Sequence, residues 1–182
     1  MPLRLNLGCG ANRREGFLNV DKLDLPGVEQ VDLEVFPWPW ETSSVEEVVM
    51  NHVLEHLGQS PDVFIGIMKE LYRVCVPNAT IQVNVPHPRH DFFITDPTHV
   101  RPILPATFQL FSKSINREVQ AKRGANSLLG LWHDVDFDLV QTRYVLDPKF
   151  DHLHGTPELE DAMRTRYGIV TEIRMRLRVV KE

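Results

Sequence analysis

Leu3-Arg4-Leu5-Asn6-Leu7-Gly8-Cys9-Gly10 decides the reading of this chain. Leu3, Leu5 and Leu7 fall on alternate positions, the period of a β-strand, and the run ends in two glycines one residue apart. Glycine there permits the left-handed backbone of a tight turn and lets main chain approach a ligand closely. A short buried strand feeding a bare turn is how a ligand site begins in an open parallel sheet, where ligands lie beyond the carboxyl ends of the strands.

Working outward, Phe17–Asp21 and Glu29–Leu33 read as second and third strands, each ending near a carboxylate. Pro37-Trp38-Pro39-Trp40 cannot sit inside a sheet or helix and reads as a loop. Val45–Met50 is β-branched and apolar enough for a central strand. Ser60-Pro61 signals a helix start, and Phe64, Ile67, Met68, Leu71 and Cys75 keep helical spacing until Pro77 ends it. Ile81, Val83 and Val85 alternate as a strand closed by Pro86. Strand, helix, strand is the rhythm of a parallel sheet. Pro86–Pro105 has no period and reads as a long loop, followed by a short helix with Phe108, Phe111 and Ile115 on one face. Residues 116–134 carry no decisive period. Phe137–Leu146 is expected as a strand, and Thr156-Pro157 opens a helix with Leu159, Met163 and Tyr167 on one face and Gly168 as its stop. Ile173, Met175, Leu177 and Val179 alternate with Glu172, Arg174, Arg176 and Arg178, a half-buried, antiparallel last strand near a sheet edge.

The totals bound the function. With 182 residues, 42% hydrophobic and 25% charged, the chain supports one ordinary globular core. A single domain over 1–182 is expected, with 1–86 as its cofactor-binding half and 87–182 as a variable acceptor-site half. Cys9 and Cys75 offer no disulfide framework, no apolar run reaches the roughly 18–20 residues of a membrane span, and the start lacks a secretory signal. A cytoplasmic location without membrane contact is expected. The net charge of −5 speaks against nucleic acid as a partner.

Gly8 and Gly10, Asp21 and Asp32 all fall at expected strand ends. A carboxylate there can take both hydroxyls of a ribose, and a second can accept from an adenine amino group. Together they describe an adenosine pocket. A dinucleotide asks for a third glycine opening a helix, but Arg13 stands at that position, and no phosphate loop is present. S-adenosylmethionine has no phosphate, and two glycines suffice for it.

Five segments in order resemble class I S-adenosylmethionine-dependent methyltransferases: Leu5–Gly10, Val31–Glu34, the Pro37–Trp40 loop with Ser44–Val49, His52–Leu57, and Lys69–Asn78. The resemblance implies a Rossmann-like α/β sheet with helices on both faces. It also implies S-adenosyl-L-methionine as cofactor, with Gly8, Cys9 and Gly10 at its methionine end, Asp21 at the ribose and Asp32 with Leu33 at the adenine. His52 and Glu55 would close over the sulfonium. The chain departs from the family in its first two crossovers, which are too short for full helices. Asn78-Ala79 also stands where a glycine pair is usual.

Methyl transfer from a sulfonium is an in-line displacement, so the enzyme mainly holds acceptor and methyl in line. A base would help, and His87 is the first candidate, His99 the second, among the loop residues that also include His90, Asp91 and Asp96. The acceptor reads only as a small or sugar-containing molecule, and the oligomeric state is not legible. Two other classes compete. His52-x-x-Glu55-His56 matches the inverted zinc-protease motif H-x-x-E-H, with a third histidine as further ligand. An adenosine-binding domain without catalysis, docking through the Arg174/Arg176/Arg178 face, is the other. No metal is assigned in the favoured reading.

Overall fold

A computed structural model describes residues 2–181. The alternation at the start forms β1 (Leu3–Leu7). On one side of it lie β2 (Leu18–Asp21) and β3 (Glu29–Gln30). On the other lie β4 (Val45–Asn51), β5 (Cys75–Pro86), β7 (Val170–Val179) and finally β6 (Phe137–Leu146). The first five strands are parallel, and β7 runs antiparallel to both β5 and β6. The chain steps outward from β1 to β3 and then returns to place β4 on the other flank of β1. Such a reversal opens a crevice beyond the carboxyl ends of the two flanking strands.

Register sorts the side chains into two faces of opposite chemistry. Leu7 stands beside Val20 and Met50, Met50 beside Val83, and Val83 beside Met175, all buried. On the other face Asn6 stands beside Asn19 and Val49, Val49 beside Gln82, and Gln82 beside Arg176. Helix α1 (Pro61–Val74) puts Phe64, Ile67, Met68, Leu71 and Val74 into the aliphatic core. After the single turn α2 (Asp91–Ile94), α3 (Pro105–Gln109) adds Phe108 to that core. Then follow α4 (Lys113–Ala121) and α5 (Leu129–His133), of which α5 packs Leu129 there. Helix α6 (Glu158–Thr165) joins a second cluster with Leu146 and Val170 at the β6–β7 end. The expected helical cover of both faces is thus unequal. Over β1, β4 and β5 the cavities of the polar face are lined by strand and loop residues alone. The cause is the short crossovers, since 8–17 and 22–28 hold turns where helices would have covered that face.

Four expectations need correction. The 29–33 strand keeps only Glu29–Gln30, because Asp32 accepts the Glu34 amide at 2.9 Å and turns the chain. β5 begins directly at Cys75, and the register steps from Cys75 to Thr80 opposite β4, with Asn78 at φ 64° inside the irregularity. Asparagine tolerates that left-handed conformation. The single helix through Phe108, Phe111 and Ile115 is two, α3 and α4. At the break the Leu110 and Phe111 carbonyls accept from the amides of Gly130 and Phe137, at 2.9 and 3.1 Å. The last helix ends at Thr165, so half-exposed Tyr167 lies beyond its face. No helix among the described residues is long and apolar enough to cross a membrane.

The Pro37–Trp40 loop packs inward. Trp38 and Trp40 are buried edge to face, with ring centroids 5.6 Å apart. Helix α1 holds the loop's main chain. The Trp38 amide donates to Glu70 at 2.7 Å, and Arg73 donates to the Trp38 and Trp40 carbonyls at 3.1 and 2.9 Å and to Glu70. Arg73→Ala strands these acceptors and is expected to cost about 1–3 kcal/mol in urea unfolding. A change within about 0.5 kcal/mol, the scale of an ordinary surface substitution, would show the loop to be held otherwise. The Arg73 guanidinium, against the opposing effect of burial, holds the Glu70 carboxyl below its ordinary 4.5. That stabilisation is complete above the unfolded-state value and disappears as pH falls through the folded one, so Glu70→Gln should flatten the acid limb of the stability curve.

Candidate active site

At the crevice the chain leaves β1 through Gly8 and Gly10, at φ 63° and 49°. The two glycines serve different needs. A Cβ on Gly8 would lie 2.4 Å from Val53 Cγ2 and 2.7 Å from Cγ1, whereas one on Gly10 would meet nothing within 4 Å. Gly8 therefore admits the segment after β4, and Gly10 supplies only backbone freedom. Asp21, at the end of β2, accepts the Gly10 amide at 2.8 Å through Oδ2 and the Leu23 amide at 3.0 Å through Oδ1. It braces the glycine turn, and each carboxylate oxygen keeps acceptor capacity for a ligand. Cys9 is buried between the glycines, and burial, with Asp21 nearby, pushes its thiol up.

Two cavities meet at this point. One, of about 410 Å³, is lined by Gly8, Cys9, Gly10, Asn51, His52 and Asn84 and extends over the polar sheet face. The other, of about 350 Å³, is lined by Val31, Asp32, Leu33, Val53, His56 and Thr98. Gly8, Asp21 and His52 line both. Leu33 is buried and its carbonyl accepts the Trp38 indole N–H at 3.1 Å, while Glu34 accepts the Gly58 amide at 2.8 Å and ties this turn to the one after β4.

The segment after β4 is a wall rather than a helix. His52 sits at φ 54°, followed by a 3-10 turn at Leu54–His56. Its Nε2 lies 2.7 Å from Glu172 and its Nδ1 3.5 Å from Glu55. Glu55 and then Glu172 raise the imidazole above its ordinary value, against burial. The inverted zinc-protease arrangement needs one helix carrying both histidines, and that helix is absent here. His99 lies beside His56, with ring centroids 4.6 Å apart, and stacks on Phe93. His87 follows β5, accepts the Arg89 amide at Nδ1, and lines neither cavity. Burial lowers its basicity.

Gly8, Cys9, Gly10, Asp21, Asp32, Leu33 and His52 thus come together at the two cavities. Sequence reading passed over Asn6, Asn51, Gln82, Asn84 and Thr98, which line them too. Asn6 between Leu5 and Leu7, and Asn84 between Val83 and Val85, did carry a signal: an amide inside an apolar strand marks a second, polar face.

No family model and no curated protein matches the sequence. Solved structures do match in fold. An S-adenosylmethionine-dependent methyltransferase from Archaeoglobus fulgidus is 15% identical with a TM-score of 0.59, over 97% of this chain and 86% of that one. The 1,6-didemethyltoxoflavin-N1-methyltransferase of Burkholderia thailandensis, solved with 1,6-didemethyltoxoflavin and S-adenosylhomocysteine, is 14% identical with a TM-score of 0.54, over 99% and 72%. The 4+2 cyclase SpnF is 14% identical with a TM-score of 0.55, over 100% and 76%. The chain has the Rossmann-like fold of class I S-adenosylmethionine-dependent methyltransferases.

The two glycines can be told apart by substitution. Gly10→Ala is expected to cost only the strain of a left-handed alanine, about 1–2 kcal/mol. Gly8→Ala adds the collision with stiff, β-branched Val53 and should cost clearly more in urea unfolding. Equal losses would mean that Val53 is free to move aside.

Proposed function

We propose that this chain is a cytoplasmic S-adenosyl-L-methionine-dependent methyltransferase acting on a small-molecule acceptor. The observation that carries the reading is the pair of cavities joined at Gly8, Asp21 and His52 under a glycine turn. Their residues fit the cofactor. Asp32 and the Leu33 main chain would hold an adenine, and the free lone pairs of Asp21 a ribose. The bare Gly8-Cys9-Gly10 backbone would take the methionine end, with His52 at the junction and Glu55, which lines neither cavity, buried behind it. When bound, the cofactor supplies an electrophilic methyl group. The half at 1–86 then does the binding, and the cavity over the polar face, with Asn51, Gln82 and Asn84, would orient a polar acceptor. The acceptor of the Burkholderia enzyme, a small molecule, supports this choice. Both cysteines are free and buried, in keeping with a reducing compartment.

A base at His87 would have to act from outside both cavities, since His87 lines neither. Its Nδ1 accepts the Arg89 amide, which leaves the proton of the neutral ring on Nε2, so this reading assigns it no proton to take. His99, the second candidate, lines neither cavity either.

Calorimetry with S-adenosylmethionine and S-adenosylhomocysteine tests the cofactor assignment. The wild type should bind in the micromolar range, and Asp21→Asn about tenfold more weakly, roughly 1.4 kcal/mol. The asparagine keeps an acceptor for the glycine turn while losing the charge offered to a ribose. Absence of binding to either ligand by the wild type removes the reading.

A further inference from the structure

We propose that Glu55, His56 and His99 form a binding site for a divalent transition-metal ion beside the cavity lined by Asp32 and Leu33, which His56 reaches. One ligand atom from each of the three lies within 4.8 Å of the others. Tetrahedral ion–ligand bonds of about 2.0–2.2 Å put ligand atoms about 3.3–3.6 Å apart, so closure asks for side-chain adjustments of about 1 Å.

Each histidine engages Nδ1 in a hydrogen bond; Nε2 carries none, and that of His99 lies 3.9 Å from the Asp96 carboxylate. His99 Nδ1 lies 2.7 Å from the Phe93 carbonyl, which can only accept, so Nδ1 donates and the neutral ring keeps its lone pair on Nε2. His56 Nδ1 lies 2.9 Å from the Thr98 hydroxyl, whose own proton goes to Asp96 at 2.6 Å. His56 Nδ1 therefore donates as well, and its Nε2 lone pair is free. Metal-bound histidines are oriented in this way, with the second ring nitrogen donating to an acceptor behind it.

Glu55 supplies the need for a cation. Its carboxylate is fully buried, and neither oxygen has a hydrogen-bond partner. His52 approaches Oε1 at 3.5 Å and leaves Oε2 with nothing. A buried carboxylate with no hydrogen bond and only this long contact to an imidazole is unfavourable, and a dication would remove the penalty. The site is also built from two distant segments that are clamped together. The Val100 and Arg101 amides donate to the Glu55 carbonyl at 2.9 and 3.2 Å, and the Arg101 side chain donates to the Gly58 carbonyl.

Two imidazoles and one carboxylate favour zinc, iron, cobalt or nickel over magnesium or calcium. The ligand set differs from the inverted protease motif, with Glu55 as a ligand and His99 in place of His52. Of the three ligands only His56 lines the cavity, with Thr98 behind its Nδ1. Ion binding stands independently of the cofactor assignment.

The test uses the full chain stripped by a chelator and titrated with Co²⁺ and, separately, Zn²⁺. One ion per chain should bind, with Co²⁺ giving visible absorption bands. His99→Ala and Glu55→Gln should each weaken binding about a hundredfold, and Thr98→Val about tenfold, while exposed His152→Ala changes nothing. Circular dichroism establishes that each variant is folded, and added Zn²⁺ should raise the unfolding temperature of the wild type but not of Glu55→Gln. Absence of saturable binding by the wild type, or equal affinity in the wild type and both ligand variants, overturns the site. S-adenosylhomocysteine binding by the same stripped protein is read separately, so either assignment can fail alone.

Discussion

Val53 occupies the space that a side chain at residue 8 would need, and much of the site depends on that contact. It sets the end of β1 directly against the segment leaving β4, at the place where strand order reverses. Asp21 then fixes the third corner by accepting the Gly10 amide from the next strand end. Three loops from three strands are thereby locked around a gap with little side-chain mass in it. Close packing elsewhere in the core makes that gap a consequence of backbone geometry, and not of loose filling.

A second constraint follows from chain length. Nine residues between Leu7 and Phe17 cannot hold a packed crossover helix, so the two early connections remain turns. A sheet face with no helix over it must be compatible with water, and β1, β4, β5 and β7 answer with Asn6, Asn51, Gln82, Asn84, Arg174 and Arg176. Two of these pair with each other, Asn84 with Asn51 at 2.9 Å, and Asn6 bonds Asn19 of β2 at 2.8 Å. The hydrophobic contribution comes from one face, where α1 and the Phe108–Phe111 region supply large side chains. The polar face gives the larger cavity its floor. Economy in the crossovers and polarity at the site are the same feature seen from two sides.

This explains which parts of the chain were legible. β4, β6 and the start of α1 announced themselves through local period and capping, because their burial is decided within the element. Gly8, Gly10 and Asp21 were legible because strand ends in an open sheet have a fixed relation to the ligand crevice. The break between α3 and α4 was not, since it depends on amides of Gly130 and Phe137, far along the chain. The pairing of His56 with His99 was equally hidden. It arises from main-chain bonds between Glu55 and residues 100–101, which no local pattern encodes. The H-x-x-E-H spacing presumes a helix, and the chain forms only a 3-10 turn at Leu54–His56.

The wall between the cavities carries the electrostatics of the site. His52 stands between Glu55 and Glu172, and those carboxylates raise its basicity at the place where both cavities meet. A sulfonium is itself cationic, so the two carboxylates that flank the ring are what this wall offers against repulsion between His52 and such a ligand. The charge a ligand meets at His52 is therefore set by side chains far apart in the chain, Glu55 in the turn after β4 and Glu172 in β7, and not by the strand ends alone.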